Sequence, residues 1–321
     1  MQDRLPDPSI LALLPTEWFD GSIIPVARPR TAVAEAVISQ AVLETNLSQY
    51  TFGVEFEILL PQNMDSYRLA QRLSEAGVQI QVERYNHTVS GNWKIVTDGS
   101  LDSTRGREVV SPILQGEDGI EAVRKVCKLL DEVHCTISKK CGFHVHVGAR
   151  HQPVSFFQNL LRFYARYEDV IDTLVAPSRR ANVNNYCRST KHAMSNEDRA
   201  QRIANAQTVL DLAIDYSGYR STYRTPSSSD VNRFMKVNLH AFWRHGTVEF
   251  RQHQGTVSAN KAESWVKLCL RMVAAAEQNV IAAGDATLQN MASQLAMPEA
   301  ELTYFTRRAV ELTRVRVSER R

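Results

Sequence analysis

Residues 52–60 read FGVEFEILL, and from Thr51 onward the hydrophobic period is two: Val54, Phe56 and Ile58 alternate with Glu55 and Glu57. Side chains two apart on a strand share a face, so the stretch predicts a β-strand with one apolar face and one face carrying two carboxylates. Carboxylates placed like this repel each other unless a cation or water lies between them. Taken alone, the pair reads equally well as a solvent-facing edge or as a cation site.

The same arrangement recurs along the chain. GFHVHVG at 142–148 sets His144 and His146 on one face, with Phe143, Val145 and Val147 on the other. Imidazole binds metals and phosphates, and two at this spacing point to a site. Zinc would suit such a pair but lacks an obvious third ligand, since Cys141 falls on the opposite face. The carboxylates elsewhere favour magnesium or manganese. TVEFRQHQGT at 247–256 places Glu249, Arg251 and His253 together, a carboxylate, a guanidinium and an imidazole that suit metal plus phosphate. Its expected hairpin partner, RFMKVNLHAFW at 233–243, adds Lys236, Asn238 and His240 to that polar face. TDGSLDSTRGREVVSP at 97–112 has Asp98 closing one strand and Glu108 inside the next, with a glycine- and arginine-containing loop between them. Asp98-Gly99 alone signals only a turn. Metal ions and phosphates are the usual partners of so much charge on single strand faces.

Around these strands, helices are expected at 65–76, 119–133, 155–174 and 261–278, and further strands at 78–84 and 93–97. Residues 176–232 carry one or two helices and the polar stretches APSRRANVNNYCRST and YRSTYRTPSSSD. They read as a lid or substrate wall, with Tyr186 and Arg188 reaching the cleft; Cys187 reads as a packed thiol. Hairpins mix with helices and regular βαβ units are missing, which gives an α+β fold with a mainly antiparallel sheet. The chain divides into an extension at 1–48 with one helix at 33–47, a catalytic domain at 49–278, and a helical segment at 279–321.

The 321 residues are 43% hydrophobic and 23% charged, enough for a sizeable core. A net charge of +3 does not indicate a nucleic-acid or membrane partner. Five scattered cysteines without a CxxC pair read as reduced thiols. The start, MQDRLPDPSILALLP, does not read as a signal peptide, and no apolar stretch is long enough to span a bilayer. A cytoplasmic location is expected.

The ordered series GVEFE, DGSL with GREVVSP, GFHVHVG and TVEFRQHQGT, spread over roughly residues 50–275, resembles the amidoligase family. That family is a branch of the glutamine synthetase and glutamate–cysteine ligase superfamily. The resemblance implies a curved antiparallel sheet with helices on its convex side, and ATP with two or three magnesium ions on the concave face. It implies metal-binding roles for Glu55, Glu57, Glu108, His144 and Glu249, with Asp98 as a further ligand. His146 would face nucleotide or substrate, and Arg251 would neutralise the transferred phosphoryl group. Lys236, Asn238 and His253 are further nucleotide-binding candidates, and Arg188 a catalytic one. The implied activity joins a carboxylate to an amine through an acyl phosphate, with a peptide, protein or metabolite as target. A metal-dependent hydrolase using the HxH pair, a guanidino-kinase-like phosphotransferase and an inactive binding module are the competing readings.

Overall fold

The structure, a computed structural model, describes residues 47–84, 86, 88–101, 104–218 and 227–318. The expected helix at 33–47 and most of the 1–48 extension lie outside the described residues, as do residues 219–226 of the second polar stretch.

The strand predicted from FGVEFEILL is β1 (Thr51–Leu59), near the centre of an eight-stranded sheet. The other strands are β2 (Ile80–Val82), β3 (Trp93–Val96), β4 (Gly106–Val110), β5 (Leu114–Gln115), β6 (Phe143–Gly148), β7 (Val237–Asn238) and β8 (Thr247–Phe250). Their order is β2-β3-β4-β1-β6-β8-β7, with β5 also pairing β1. Every pairing is antiparallel except β2 with β3. The mainly antiparallel α+β class expected from the sequence is therefore the class observed.

The register makes one face apolar. Phe56 lies opposite Phe143 on one side and Val109 on the other. The two phenyl rings stack with centroids 4.7 Å apart. Phe52, Val54, Phe56 and Ile58 are all buried in the same core as Val145, Val147, Val248 and Phe250. Three long helices supply much of the rest of that core: α2 (Gly116–Glu132), α3 (Val154–Leu174) and α8 (Ala259–Glu277). Each buries a stripe at helical spacing, for example Val123, Val126 and Leu130 in α2, or Phe157, Leu160, Leu161 and Tyr164 in α3. A shorter helix, α1 (Ser66–Glu75), starts where the Asp65 carboxylate accepts from the Arg68 backbone N–H at 2.8 Å.

Two sequence expectations change. Residues 176–232 hold three short helices rather than one or two: α4 (Thr190–Met194), α5 (Glu197–Asn205) and α6 (Val209–Ser217). They pack on α3, where Gln158 Nε2 donates to the carbonyls of Ile203 and Ala204, and not over the polar face of the sheet. The hairpin expected around RHG is interrupted by a helical turn, α7 (Ala241–His245), which Gly246 closes at φ 70°. The apolar side chains there drive the change, because Phe242 packs edge-on against Phe157 of α3 at 5.3 Å. Helices α9 (Leu288–Gln294) and α10 (Glu299–Ser318) complete the described chain. No helix among the described residues is long and apolar enough to cross a membrane.

A bidentate ion pair ties α2 to α8: Arg124 donates from Nε to Glu263 Oε2 at 2.7 Å and from NH2 to Oε1 at 2.6 Å. The Arg124 guanidinium, with Lys267 beside it, holds the Glu263 carboxyl at about 2 against its ordinary 4.5. Because the folded-state value is depressed, the stabilisation is fully present above the unfolded value and is lost as pH falls toward the folded one. Solvent screens the partly exposed pair, so Glu263→Gln is expected to cost roughly 1 kcal/mol at neutral pH. The difference from the unmodified protein should shrink between pH 4.5 and about 2. Thermal melts across that range check it; a difference that persists unchanged at the acid end would remove the ion pair as its cause.

Candidate active site

The opposite face of the sheet is polar because the alternation that buries Phe56 must turn Glu55 and Glu57 the other way. Register then gathers like residues from neighbouring strands. Glu57 lies opposite Glu108 of β4, Glu55 opposite His144 of β6, and His146 opposite Glu249 of β8, itself opposite Asn238 of β7. His144 Nδ1 stands 3.1 Å from Glu55 Oε2 and 3.6 Å from Glu249 Oε1, while its Nε2 is 3.6 Å from Glu57 Oε1. His146 Nε2 is 3.2 Å from Glu55 Oε1 and 3.9 Å from Glu249 Oε1. Asn238 Nδ2 donates to Glu249 Oε2 at 2.6 Å, and Arg251 NH1 donates to the other oxygen of Glu249. Arg251 is steadied from behind, its Nε donating to the Tyr186 carbonyl at 3.2 Å.

Three groups of side chains bring ligand atoms within 4.8 Å of one another: Glu55, Glu108 and His144; Glu55, His146 and Glu249; and Glu57, Asp98 and Glu108. These oxygen-rich sets suit a hard divalent cation of the magnesium or manganese kind. Asp98 joins from the turn after β3, where Ser100 N and Oγ donate to its Oδ1.

The charges are not balanced within the protein. Burial, reinforced by the charges of Glu55, Glu57 and Asp98, pushes the Glu108 carboxyl well above the ordinary carboxylate range. Burial would also raise Glu55, but His146 and His144 hold it well below that range. Glu249 is likewise lowered against the effect of burial, by Arg251 and the same two imidazoles. Burial works against the cationic form of His146, yet Glu249 and Glu55 raise it. A carboxyl raised by burial and by neighbouring carboxylates is one whose charged form a bound cation would favour.

Two cavities meet over this face. One, of about 960 Å3, is lined by Glu57, His144, Glu249 and Arg251 and by the cations Lys139, Lys140, Arg233 and Arg244. The other, of about 650 Å3, is lined by the apolar Phe52, Val110, Pro112 and Ile113 together with polar groups such as Lys94, Ser111 and Arg150. They share Glu55, Glu108, His146 and His245.

Not every expected residue is here. Lys236 lies at a bend just before β7, where strand alternation fails, and its ammonium turns to the helical side. There it donates to Glu168 Oε1 at 2.8 Å and Asp172 Oδ1 at 2.6 Å, both on α3. Two buried carboxylates need a cation, and Lys236 supplies it, so its expected place on the cleft face is corrected. His253 is also displaced. Val145 pairs with Phe250, but Gly142 pairs with Gln254, so Phe143 and His144 oppose three residues, Arg251, Gln252 and His253. This one-residue bulge flips the alternation. His253 packs between Phe143 and Trp265 on the core side, and burial pushes its imidazole down to about 3, which makes it neutral. Arg188 is exposed and lines neither cavity, whereas its neighbour Tyr186 lines the larger one. Conversely, Arg179 lines that cavity while buried, and no strand pattern marked it. The only signal was its place in the arginine-rich APSRR stretch.

Because burial and neighbouring charge raise the Glu108 carboxyl, a divalent cation that binds its carboxylate form should displace a proton. Manganese affinity should therefore rise with pH until Glu108 titrates freely. Calorimetry in buffers of different ionisation enthalpy measures the release. Glu108→Gln should bind manganese more weakly and release fewer protons; proton-independent binding would contradict the electrostatics.

Comparison with known proteins adds the following. No functionally curated protein matches the chain. Among solved structures it is similar to one titled "Crystal structure of novel glutamine synthase homolog", at 11% identity and a TM-score of 0.38, covering 85% of this chain and 68% of that one. Residues 48–273, which include every strand of the sheet, match the family model described as "Putative amidoligase enzyme", and the chain belongs to that family.

Proposed function

We propose that the protein is an ATP- and magnesium-dependent ligase that joins a carboxylate to an amine through an acyl phosphate. One observation carries this reading: five carboxylates, two imidazoles and Arg251 converge where two cavities meet. The donor set fits two or three magnesium ions, or manganese, held by the three groups described above. Such ions, when bound, would offset charge on phosphate oxygens. The apolar patch of Phe52, Val110, Pro112 and Ile113 in the smaller cavity suits the base of a nucleoside. The cations of the larger one suit an acid, and its volume leaves room for a peptide or protein segment, with residues 178–186 as substrate wall.

The chain's own groups then have defined tasks. Arg251, fixed by Glu249 and the Tyr186 carbonyl, would hold a full positive charge beside the phosphoryl group in transfer. Asn238 would fix the second oxygen of Glu249, so that the carboxylate keeps one orientation. His146, hydrogen-bonded through Nδ1 to Thr247 Oγ1 at 3.0 Å, would direct Nε2 toward the shared floor. A carboxylate has no usable leaving group. Attack of its oxygen on the terminal phosphorus of ATP expels ADP and gives an acyl phosphate, and attack of the amine on the carbonyl then expels phosphate. A cytoplasmic setting, where ATP is plentiful, fits this chemistry. On this reading residues 49–278 form the catalytic unit.

With a true acid and amine, ATP should give ADP and phosphate, and one oxygen of an 18O-labelled acid should appear in the phosphate. AMP as product, or unlabelled phosphate, would overturn the mechanism. Cleavage of an amide without ATP would support a hydrolase instead. Arg251→Ala should keep manganese binding but slow turnover ~10²–10³-fold, as for loss of one preorganised transition-state donor. Glu249→Gln should lower both metal affinity and turnover. Full activity in Arg251→Ala would remove the role given to that residue.

A further inference from the structure

Glu57 differs from the other cleft carboxylates in how it is held. One of its oxygens, Oε2, accepts the backbone N–H of Gly142 at 2.5 Å, and the other, Oε1, faces His144 Nε2 at 3.6 Å. That N–H is available because Gly142 lies just before β6, and the turn leading into the strand is pinned from outside. Arg179 NH2 donates to the Lys140 carbonyl at 2.9 Å and to the Cys141 carbonyl, the two carbonyls immediately before Gly142. Arg179 is itself fixed at the backbone. Its N–H donates to the Ala176 carbonyl at 2.9 Å, and its carbonyl accepts from Gln252 Nε2 at 3.3 Å.

Gly142 is required where it stands. A Cβ there would lie 2.6 Å from His144 Nε2 and 3.4 Å from Arg179 NH1, so a side chain would displace the imidazole. The arginine is 2% exposed, and its Nε has no hydrogen-bond partner among the described residues. Burying a guanidinium with one N–H unsatisfied costs free energy that a simple turn clamp would not need. A lysine could supply the charge but not the planar fork that reaches two successive carbonyls.

We infer that Arg179 is a positioning residue: through the carbonyls of Lys140 and Cys141 it aims the Gly142 N–H at Glu57 and leaves one Glu57 oxygen directed at the Glu57–Asp98–Glu108 cation position. The inference rests on the reading of that group as a metal site. It also explains why the arginine-rich stretch after α3 runs along the cleft rim. One guanidinium joins that stretch to the strand carrying both imidazoles.

The test is a double-mutant cycle read by manganese binding, with electron paramagnetic resonance or calorimetry as detector and thermal melts as the fold check. Arg179→Lys and Arg179→Met should each weaken one class of bound manganese ~10–100-fold, as for loss of an outer-shell partner, and spare the remaining class. In a Glu57→Gln background, Arg179→Met should add less than about two-fold, because its route to the metal is already broken. A residue that only stabilises the fold would lower the melting temperature in both backgrounds without selecting one class of ion. Where Arg179→Met melts too low to handle, Arg179→Lys decides the question alone. Manganese affinities within about two-fold of the unmodified protein, or full additivity with Glu57→Gln, overturn the inference. Absence of manganese binding in the unmodified protein overturns the metal reading and takes the inference with it, which separates the two failures.

Discussion

Mutual repulsion among carboxylates is the constraint around which the molecule is arranged. Glu57 and Glu108 lie directly opposite each other on adjacent strands, a placement that destabilises a sheet when both are charged. Two unit charges 4 Å apart repel by about 4 kcal/mol at the effective dielectric of a protein surface. Glu55, Asp98 and Glu249 add to the same field. The protein meets part of this with its own cations, since Arg251 and the imidazoles stand among the acids. The raised Glu108 carboxyl marks the part that is left over. Such a site suits divalent cations, because a bound cation would remove the repulsion and not merely add an attraction.

Holding such a site needs a rigid floor, and the opposite face of the same strands provides it. Phe56, Phe143, Val109, Val145 and Phe250 form the layer beneath Glu55, Glu57, Glu108, His144 and Glu249, and α2, α3 and α8 close it from below. The strands therefore serve two purposes at a period of two: every apolar side chain that enters the core fixes the angle of the polar one next to it. A helix could not present these five cleft groups this way, since its polar and apolar residues recur at a period of 3.6.

The sheet is irregular only where its ends are used. Beyond Phe250 the bulge turns His253 inward beside Gln252, and just before β7 the bend does the same for Lys236. The inward groups are not idle. Lys236 neutralises Glu168 and Asp172 of α3, and Gln252 joins Asp172 to the Arg179 carbonyl. Glu168 also accepts the backbone N–H of Lys191 at 2.7 Å. The 176–191 stretch, which brings Arg179 and Tyr186 to the cleft, is thus anchored to the helical layer by a buried polar network. Such networks specify one arrangement when every member is satisfied.

Within regular strands, the sequence alone determined which residues face the cleft. Alternation at Glu55 and Glu57, at His144 and His146, and at Glu249 and Arg251 needs no tertiary information, because a strand has only two faces. The mainly antiparallel α+β class was legible for the same reason, from strands and helical stripes in non-βαβ order. Only the tertiary structure decided which faces meet. Register places Glu57 against Glu108 and His146 against Glu249, and it is set by packing between strands distant in sequence. Lys236 and His253 sit where alternation breaks, at a bend and a bulge that leave no periodic trace, so both were read onto the wrong face. Arg179 was invisible as an individual residue because it acts through the carbonyls of Lys140 and Cys141, 39 and 38 positions earlier in the chain. A hydrogen bond to a backbone carbonyl has no side-chain partner for a sequence to reveal.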